Sequence, residues 1–161
     1  MPKLFIASDH TGFALKGELV SYVGLLGYEV EDLGAHELDP GDDYPDVVTP
    51  CALKVTQTPG SLGIVIGGSG QGEAMCANRV KGARAAIFYG QAQAIGAIDA
   101  QGAPSLDGFD IVRLAREHND ANILSLAARF ITIEDAREAV RIFIETPFTA
   151  EERHVRRIGK F

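Results

Sequence analysis

Apolar and polar positions along the chain switch repeatedly between two spacings. Leu4 to Ala7 is a short apolar run and the first expected strand. From Phe13 to Leu26, the residues Phe13, Leu15, Leu19, Tyr22, Val23 and Leu26 recur at helical spacing, and Gly27 follows as a natural C-cap. Tyr28 to Leu33 alternates as a second strand, Leu62 to Ile66 is a fully apolar third, Ala83 to Phe88 a fourth and Ile123 to Ala127 a fifth. Pro45 can open a helix that runs to about Thr56, and Gly72 to Arg79 reads as a short helix. Ile133 to Glu145 is amphipathic, with Ala136, Val140 and Ile144 on one face, and Thr149 to Ile158 can form a last, strongly charged helix. This alternation predicts an α/β fold with a parallel sheet, right-handed crossovers and helices on both faces.

One stretch breaks the rhythm. AIDAQGAPSLDGFD, residues 97–110, is poor in bulky apolar residues and carries two glycine-containing turns. It reads as an exposed loop inserted between two short helices of one domain spanning 1–161, and long loops in compact domains serve as lids or as flexible inserts.

Composition narrows the function classes. A chain of 161 residues, 46% hydrophobic and 23% charged, suits one domain with a full core. A formal net charge of -7 argues against broad nucleic-acid binding but leaves room for a local basic pocket. Cys51 and Cys76 are far apart, with no CxxC pair and no histidines at metal-ligand spacing, so they read as reduced thiols and no metal site is expected. MPKLFIASDH at the start has too short an apolar core for a secretory signal, and no stretch approaches a membrane span, so the expectation is a cytoplasmic protein without membrane partners.

In parallel sheets, ligands sit beyond the carboxyl ends of the strands. That rule singles out Ser8-Asp9-His10, the 67–73 bend and the end of the fourth strand. The bend lies within IVIGGSGQGEAMCANRV, residues 64–80. It is not a dinucleotide fingerprint, because the sixth position counted from Gly68 or Gly70 is Glu73 or Met75, and it lacks the Gly-Lys-Ser/Thr of a Walker loop. It remains an anion-friendly turn: glycines admit close backbone approach, the following helix start offers N–H donors, and Ser69 adds a hydroxyl. A carboxylate at Glu73 would repel a phosphate there, yet beside an oxyanion site it can act as a general base. Taken alone, Glu73 reads equally well as a first-turn acid facing the helix dipole.

Three further clusters carry polar chemistry. Asp9 or Thr11 can cap a helix beside His10, and REHNDAN (116–122) places His118 and Asn119 just before the fifth strand, where a solvated turn is the plain alternative. In ERHVRRIGK (152–160), Arg153 and Arg157 stand one helical turn apart, either as a phosphate clamp or as a solvated face paired with Glu151 and Glu152.

Together, SDHTGFALK (8–16), DYPD (43–46), GGSGQGEAMCANRVKGARAA (67–86), REHNDAN (116–122) and RHVRR (153–157) resemble the ribose-5-phosphate isomerase B family and its relatives, the galactose-6-phosphate isomerase subunits. The resemblance covers nearly the whole chain outside 97–110, where typical members use one shorter helix. It implies a Rossmann-like three-layer sandwich with a five-stranded parallel sheet. It implies a homodimer, or a dimer of dimers, with the active site shared between subunits, and interconversion of an aldose and a ketose sugar phosphate without metal or cofactor. Gly67 stands where one branch of the family carries a catalytic cysteine, so this chain resembles the glutamate branch. Carried over, Glu73 would move a proton between C2 and C1, while Ser69 and the N–H groups of 70–73 would stabilise the enediolate. Asp9 and His118 would open the sugar ring, and Asn119 would hold a hydroxyl. His10, Arg129, Arg153 and Arg157 would grip the phosphate, Tyr44 would line the pocket, and Gly68, Gly70 and Gly72 would let the substrate approach the backbone. Ribose 5-phosphate is the first expectation, with tetrose and hexose phosphates, or a non-catalytic sugar-phosphate-binding module, as alternatives. A flavodoxin-like redox carrier lacks an aromatic platform here, since the chain has no Trp.

Overall fold

The computed structural model describes residues 1–161. Five strands form its centre: β1 (Leu4–Ser8), β2 (Val30–Asp32), β3 (Leu62–Gly67), β4 (Ala85–Phe88) and β5 (Ile123–Ala127). They form one fully parallel sheet in the order β2-β1-β3-β5-β4. The three central strands are buried on both faces, and this explains their continuous apolar runs. The edge strands β2 and β4 are half-buried. The second strand keeps only three of its expected residues, because the ladder to β1 pairs Val30, Glu31 and Asp32 alone.

Six helices cover the sheet: α1 (Phe13–Leu25), α2 (Pro45–Gln57), α3 (Gln71–Ala77), α4 (Asp110–Asn119), α5 (Ile133–Glu145) and α6 (Glu152–Ile158). The larger core cluster joins Leu4, Ile6, Ile64, Ile66, Leu124 and Leu126 to residues of α1, α4 and α5. The smaller one joins Phe5, Ala7, Val65 and Ile123 to α2 and α3. Odd and even strand residues therefore face opposite helical layers, as the two-residue period of a strand requires. In α5 the buried Ala136, Ala139, Val140, Phe143 and Ile144 keep the three-four spacing of one helical face. Its start is capped by the Thr132 hydroxyl, which accepts the Asp135 N–H at 3.1 Å, a contact worth roughly 1 kcal/mol.

The 97–110 segment departs from expectation. No helix precedes it: the chain runs irregularly from Tyr89 to α4, the one helix beside it. Asp110 is buried and ties the segment down, accepting from the Ser105 hydroxyl at 2.7 Å and the Leu106 N–H at 2.8 Å. Arg113 adds a bridge between Asp107 and Asp110. No helix of the structure is long and apolar enough to cross a membrane.

Candidate active site

After β2 the chain returns past β1 to lay down β3 on its other side. The crevice between the carboxyl ends of β1 and β3 is therefore a topological switch point, where open parallel sheets bind ligands. Ser8 and Asp9 end one wall, and Gly67 and Gly68 the other.

On the β1 side, Asp9 caps a single 3-10 turn, His10–Gly12. Its Oδ1 accepts from Thr11 N at 2.9 Å, Thr11 Oγ1 at 2.5 Å and Gly12 N at 3.2 Å, leaving Oδ2 without a protein donor. His10 follows and pairs through Nδ1 with Asp42 Oδ1 at 2.6 Å. That hydrogen bond raises the pKa of His10 above its ordinary value, favouring the imidazolium. Asp42 was not among the residues singled out from sequence; its only signal was its place in the Gly- and Asp-rich loop ahead of DYPD. The base of this wall is braced by Lys16, whose buried ammonium meets both oxygens of Asp32 at 2.6 Å, while Asp32 accepts the Gly34 N–H.

On the β3 side, the glycines leave space that neighbours fill. A Cβ on Gly67 would lie 1.8 Å from Glu73 Oε1, so the carboxylate of Glu73 occupies the room any side chain at 67 would need. A Cβ on Gly72 would meet the Tyr44 ring at 2.7 Å, and one on Gly68 would come within 3.2 Å of the Arg129 guanidinium. Gly70 adopts φ +70°, the left-handed conformation that turns the chain into α3. Glu73 is buried, and that burial, helped by the nearby Asp9 charge, raises its pKa above the usual glutamate range. Asp9, His10, Tyr44, the 67–73 bend, Glu73 and Arg129 thus gather around one crevice. Cys51 is elsewhere, on the buried face of α2, with its thiol pushed up to about 12 by desolvation.

His118, Asn119, Arg153 and Arg157 do not join them within one chain. His118 and Asn119 end α4, just before β5 begins, at the amino end of the sheet. Glu73 lies against Gly67, which pairs with Ala127 at the far end of β5. Five residues of strand separate the two ends, roughly 15 Å. The second group has its own order. The rings of His118 and His154 stack with centroids 4.2 Å apart and planes 14° from parallel. His154, also missed from sequence within RHVRR, is buried, and desolvation followed by the neighbouring His118 lowers its pKa. Arg153, on the same helix, lies 2.9 Å from Glu151. Asn119 lines a separate surface cavity of about 430 Å³ together with Arg84, Ala85 and Phe161.

A parallel α/β sandwich with a carboxylate, a glycine bend and basic side chains at its switch point defines a class: small-anion enzymes built on an open sheet. The sequence profile described as Ribose/Galactose Isomerase matches residues 4–104 and 107–161, and the chain belongs to that family. Among its relatives is a probable ribose-5-phosphate isomerase B of Mycoplasma pneumoniae, 39% identical over 98% of this chain and 91% of the relative. Another is the ribose-5-phosphate isomerase B of Mycobacterium tuberculosis strain H37Rv, 36% identical over 97% of this chain and 85% of the relative. The crystal structure of ribose-5-phosphate isomerase B from Mycoplasma genitalium with bound ribulose-5-phosphate superposes with a TM-score of 0.84 at 36% identity, covering 98% of this chain and 92% of that one. The Thermotoga maritima structure gives 0.83 at 37% identity, over 99% and 96% of the two chains. The break in the profile match, at 105–106, falls inside the irregular segment before α4.

Proposed function

We propose that this chain is an aldose–ketose isomerase that interconverts ribose 5-phosphate and ribulose 5-phosphate. The single observation that carries the reading is the buried Glu73 carboxylate seated over Gly67 beside the glycine bend. The family supports the substrate class, and a relative holds ribulose 5-phosphate in its crystal structure.

The chemistry follows from the groups at hand. With the sugar ring open, C1 is an aldehyde and the C2 hydrogen is weakly acidic. Glu73 removes that proton, and the C–H electron pair becomes the C1=C2 bond of an enediolate with its charge on O1. In this reading Ser69 and the N–H groups of Gly70 to Glu73 receive that oxygen; each preorganised donor of this kind is typically worth ~10²–10³ in rate. Returning the proton to C1, with a hydroxyl proton passing from O2 to O1, gives the ketose without net consumption of any reagent. A carboxyl pKa lifted by burial brings the base nearer to working pH, where it removes a carbon-bound proton more effectively.

Asp9, His10, Tyr44 and Arg129 form one half of the site in this reading, and His118, Asn119, Arg153 and Arg157 the other. Since one chain holds the halves at opposite ends of its sheet, a second copy supplies the ring-opening His118 and the Arg153–Arg157 clamp to the first copy's Glu73. The working unit is a homodimer, or a dimer of dimers, with two composite sites per pair. Asn78, Arg84 and Asn119 line a cavity along the edge strand β4, where an adjoining copy has polar groups to meet.

The test is a coupled isomerase assay over four-, five- and six-carbon aldose phosphates, run alongside Glu73→Gln. Ribose 5-phosphate is expected to turn over fastest. The variant should lose ~10²–10⁴ in kcat, with KM changed only a few-fold. Near-normal turnover by Glu73→Gln removes the assigned base, and failure on every sugar phosphate removes the function.

A further inference from the structure

We propose that Ser125 is a positioning residue of the isomerase: from beneath the glycine bend, its hydroxyl fixes the peptide that presents a donor to the enediolate. The proposal rests on the isomerase reading of the site above. Ser125 lies in the middle of β5 and is fully buried. Its strand neighbours Leu124 and Leu126 face the α1–α5 layer, so Ser125 faces α3. A serine here is out of keeping with the apolar strand around it, ILSLA, and calls for a partner. It has one: Oγ donates to the Gly70 carbonyl at 2.7 Å.

That carbonyl belongs to the peptide joining Gly70 to Gln71. A trans peptide is planar, with its C=O and N–H pointing in opposite directions. Holding the Gly70 oxygen down toward β5 therefore aims the Gln71 N–H up and away from the sheet. On that side the Gln71 N–H reaches Ser69 Oγ at 3.3 Å, within the same glycine bend. The same carbonyl also accepts from Ala74 N at 3.1 Å, so the helical bond alone does not exhaust it. A hydrogen bond to a carbonyl also polarises its own amide, which makes the Gln71 N–H a better donor to a developing oxyanion. Gly70 is the point where such a brace matters most. Its left-handed φ of +70° is readily lost by glycine, which visits many conformations at little cost. A side chain could not stiffen it without strain, since L residues rarely adopt this φ and a Cβ on Gly70 would crowd Ser125 Oγ at 3.1 Å. The stiffening comes from below, across 55 residues of sequence.

The experiment compares wild type, Ser125→Ala and Ser125→Cys in three measurements: kcat and KM with ribose 5-phosphate, inhibition by inorganic phosphate, and thermal unfolding. Removing a donor outright costs ~10²–10³, so mis-aiming one is expected to lower kcat about tenfold in Ser125→Ala. KM and the phosphate inhibition constant should stay within about twofold, since phosphate recognition lies elsewhere in the site. Ser125→Cys, which retains a weak S–H donor, should fall between the two. If both variants keep wild-type kcat, or if kcat and phosphate affinity fall together with the melting temperature, Ser125 is a packing residue and the proposal fails. Should wild type turn over no sugar phosphate at all, the isomerase reading falls first and takes this one with it. If Ser125→Ala does not fold, the Ser125→Cys kinetics decide alone.

Discussion

Burying a carboxylate is costly, and the cost at Glu73 has a sign that can be measured. Its native pKa lies above the unfolded value, so between those two values the native state holds more protons than the unfolded one. Stability therefore falls as pH rises through that window, and above it the ionised side chain remains a constant burden. Glu73→Gln should accordingly melt no lower than wild type at neutral pH, and up to a few degrees higher, while losing turnover. A lowered melting temperature would mean that the carboxylate holds the fold together rather than serving the reaction. The free enzyme's pH–rate profile should also show an acid limb above the ordinary glutamate range. His10 shows the same sign for a different reason: its hydrogen bond to Asp42 stabilises the charged form and raises its pKa, so the stabilisation is complete below the unfolded value and lost as pH rises through the native one. With Asp42→Asn, the alkaline rise in KM should begin at lower pH, measured as KM for ribose 5-phosphate between pH 6 and 9. An unchanged profile would show that the imidazolium is not a substrate contact.

At the scale of elements, strand and helix periodicity in the sequence located all five strands, and it placed β5 and α5 to the residue. Apolar spacing is a strong signal where an element is buried, and these two are. It failed where long-range pairing decides. β2 is short because only three residues meet β1, and the segment from Tyr89 to Phe109 is shaped by a few polar ties rather than by a pattern. The key tie is Asp110, which hydrogen-bonds Ser105, Leu106 and Arg113. Asp110→Ala removes the acceptor of the Ser105 hydroxyl and the Leu106 N–H and leaves Arg113 held by Asp107 alone, so limited proteolysis should cut 97–106 several-fold faster while leaving the rest intact. Equal cutting rates would show that the segment is held by something else. The site was partly legible on the same grounds. Glu73 and the glycine bend stood out because glycines at a strand end are rarely idle. Asp42, His154 and Ser125 did not, because each acts through a partner distant in sequence, respectively His10, His118 and Gly70.

For the whole molecule, the separation of the two half-sites predicts complementation. Glu73→Gln and His118→Asn should each be nearly inactive as pure proteins. Unfolded together and refolded, they should form mixed dimers in which, on the composite-site proposal, one of the two sites is intact. Random pairing makes half of the dimers mixed, so the mixture should recover about a quarter of wild-type activity. No recovery would place both residues in the same chain's site, or remove one of them from the reaction.

Glu73 and Gly67 also limit how this protein could change over generations. The carboxylate of one fills the volume a side chain on the other would take. Shifting the base to a thiol at 67 thus requires two substitutions, and neither order offers a working halfway form. Gly67→Cys alone should displace the carboxylate and crowd the crevice, while Glu73→Ala alone leaves no base. With Glu73 as the proposed base, selection on single changes would therefore hold the lineage to a carboxylate, and the paired variant Gly67→Cys with Glu73→Ala should outperform both single ones in turnover of ribose 5-phosphate.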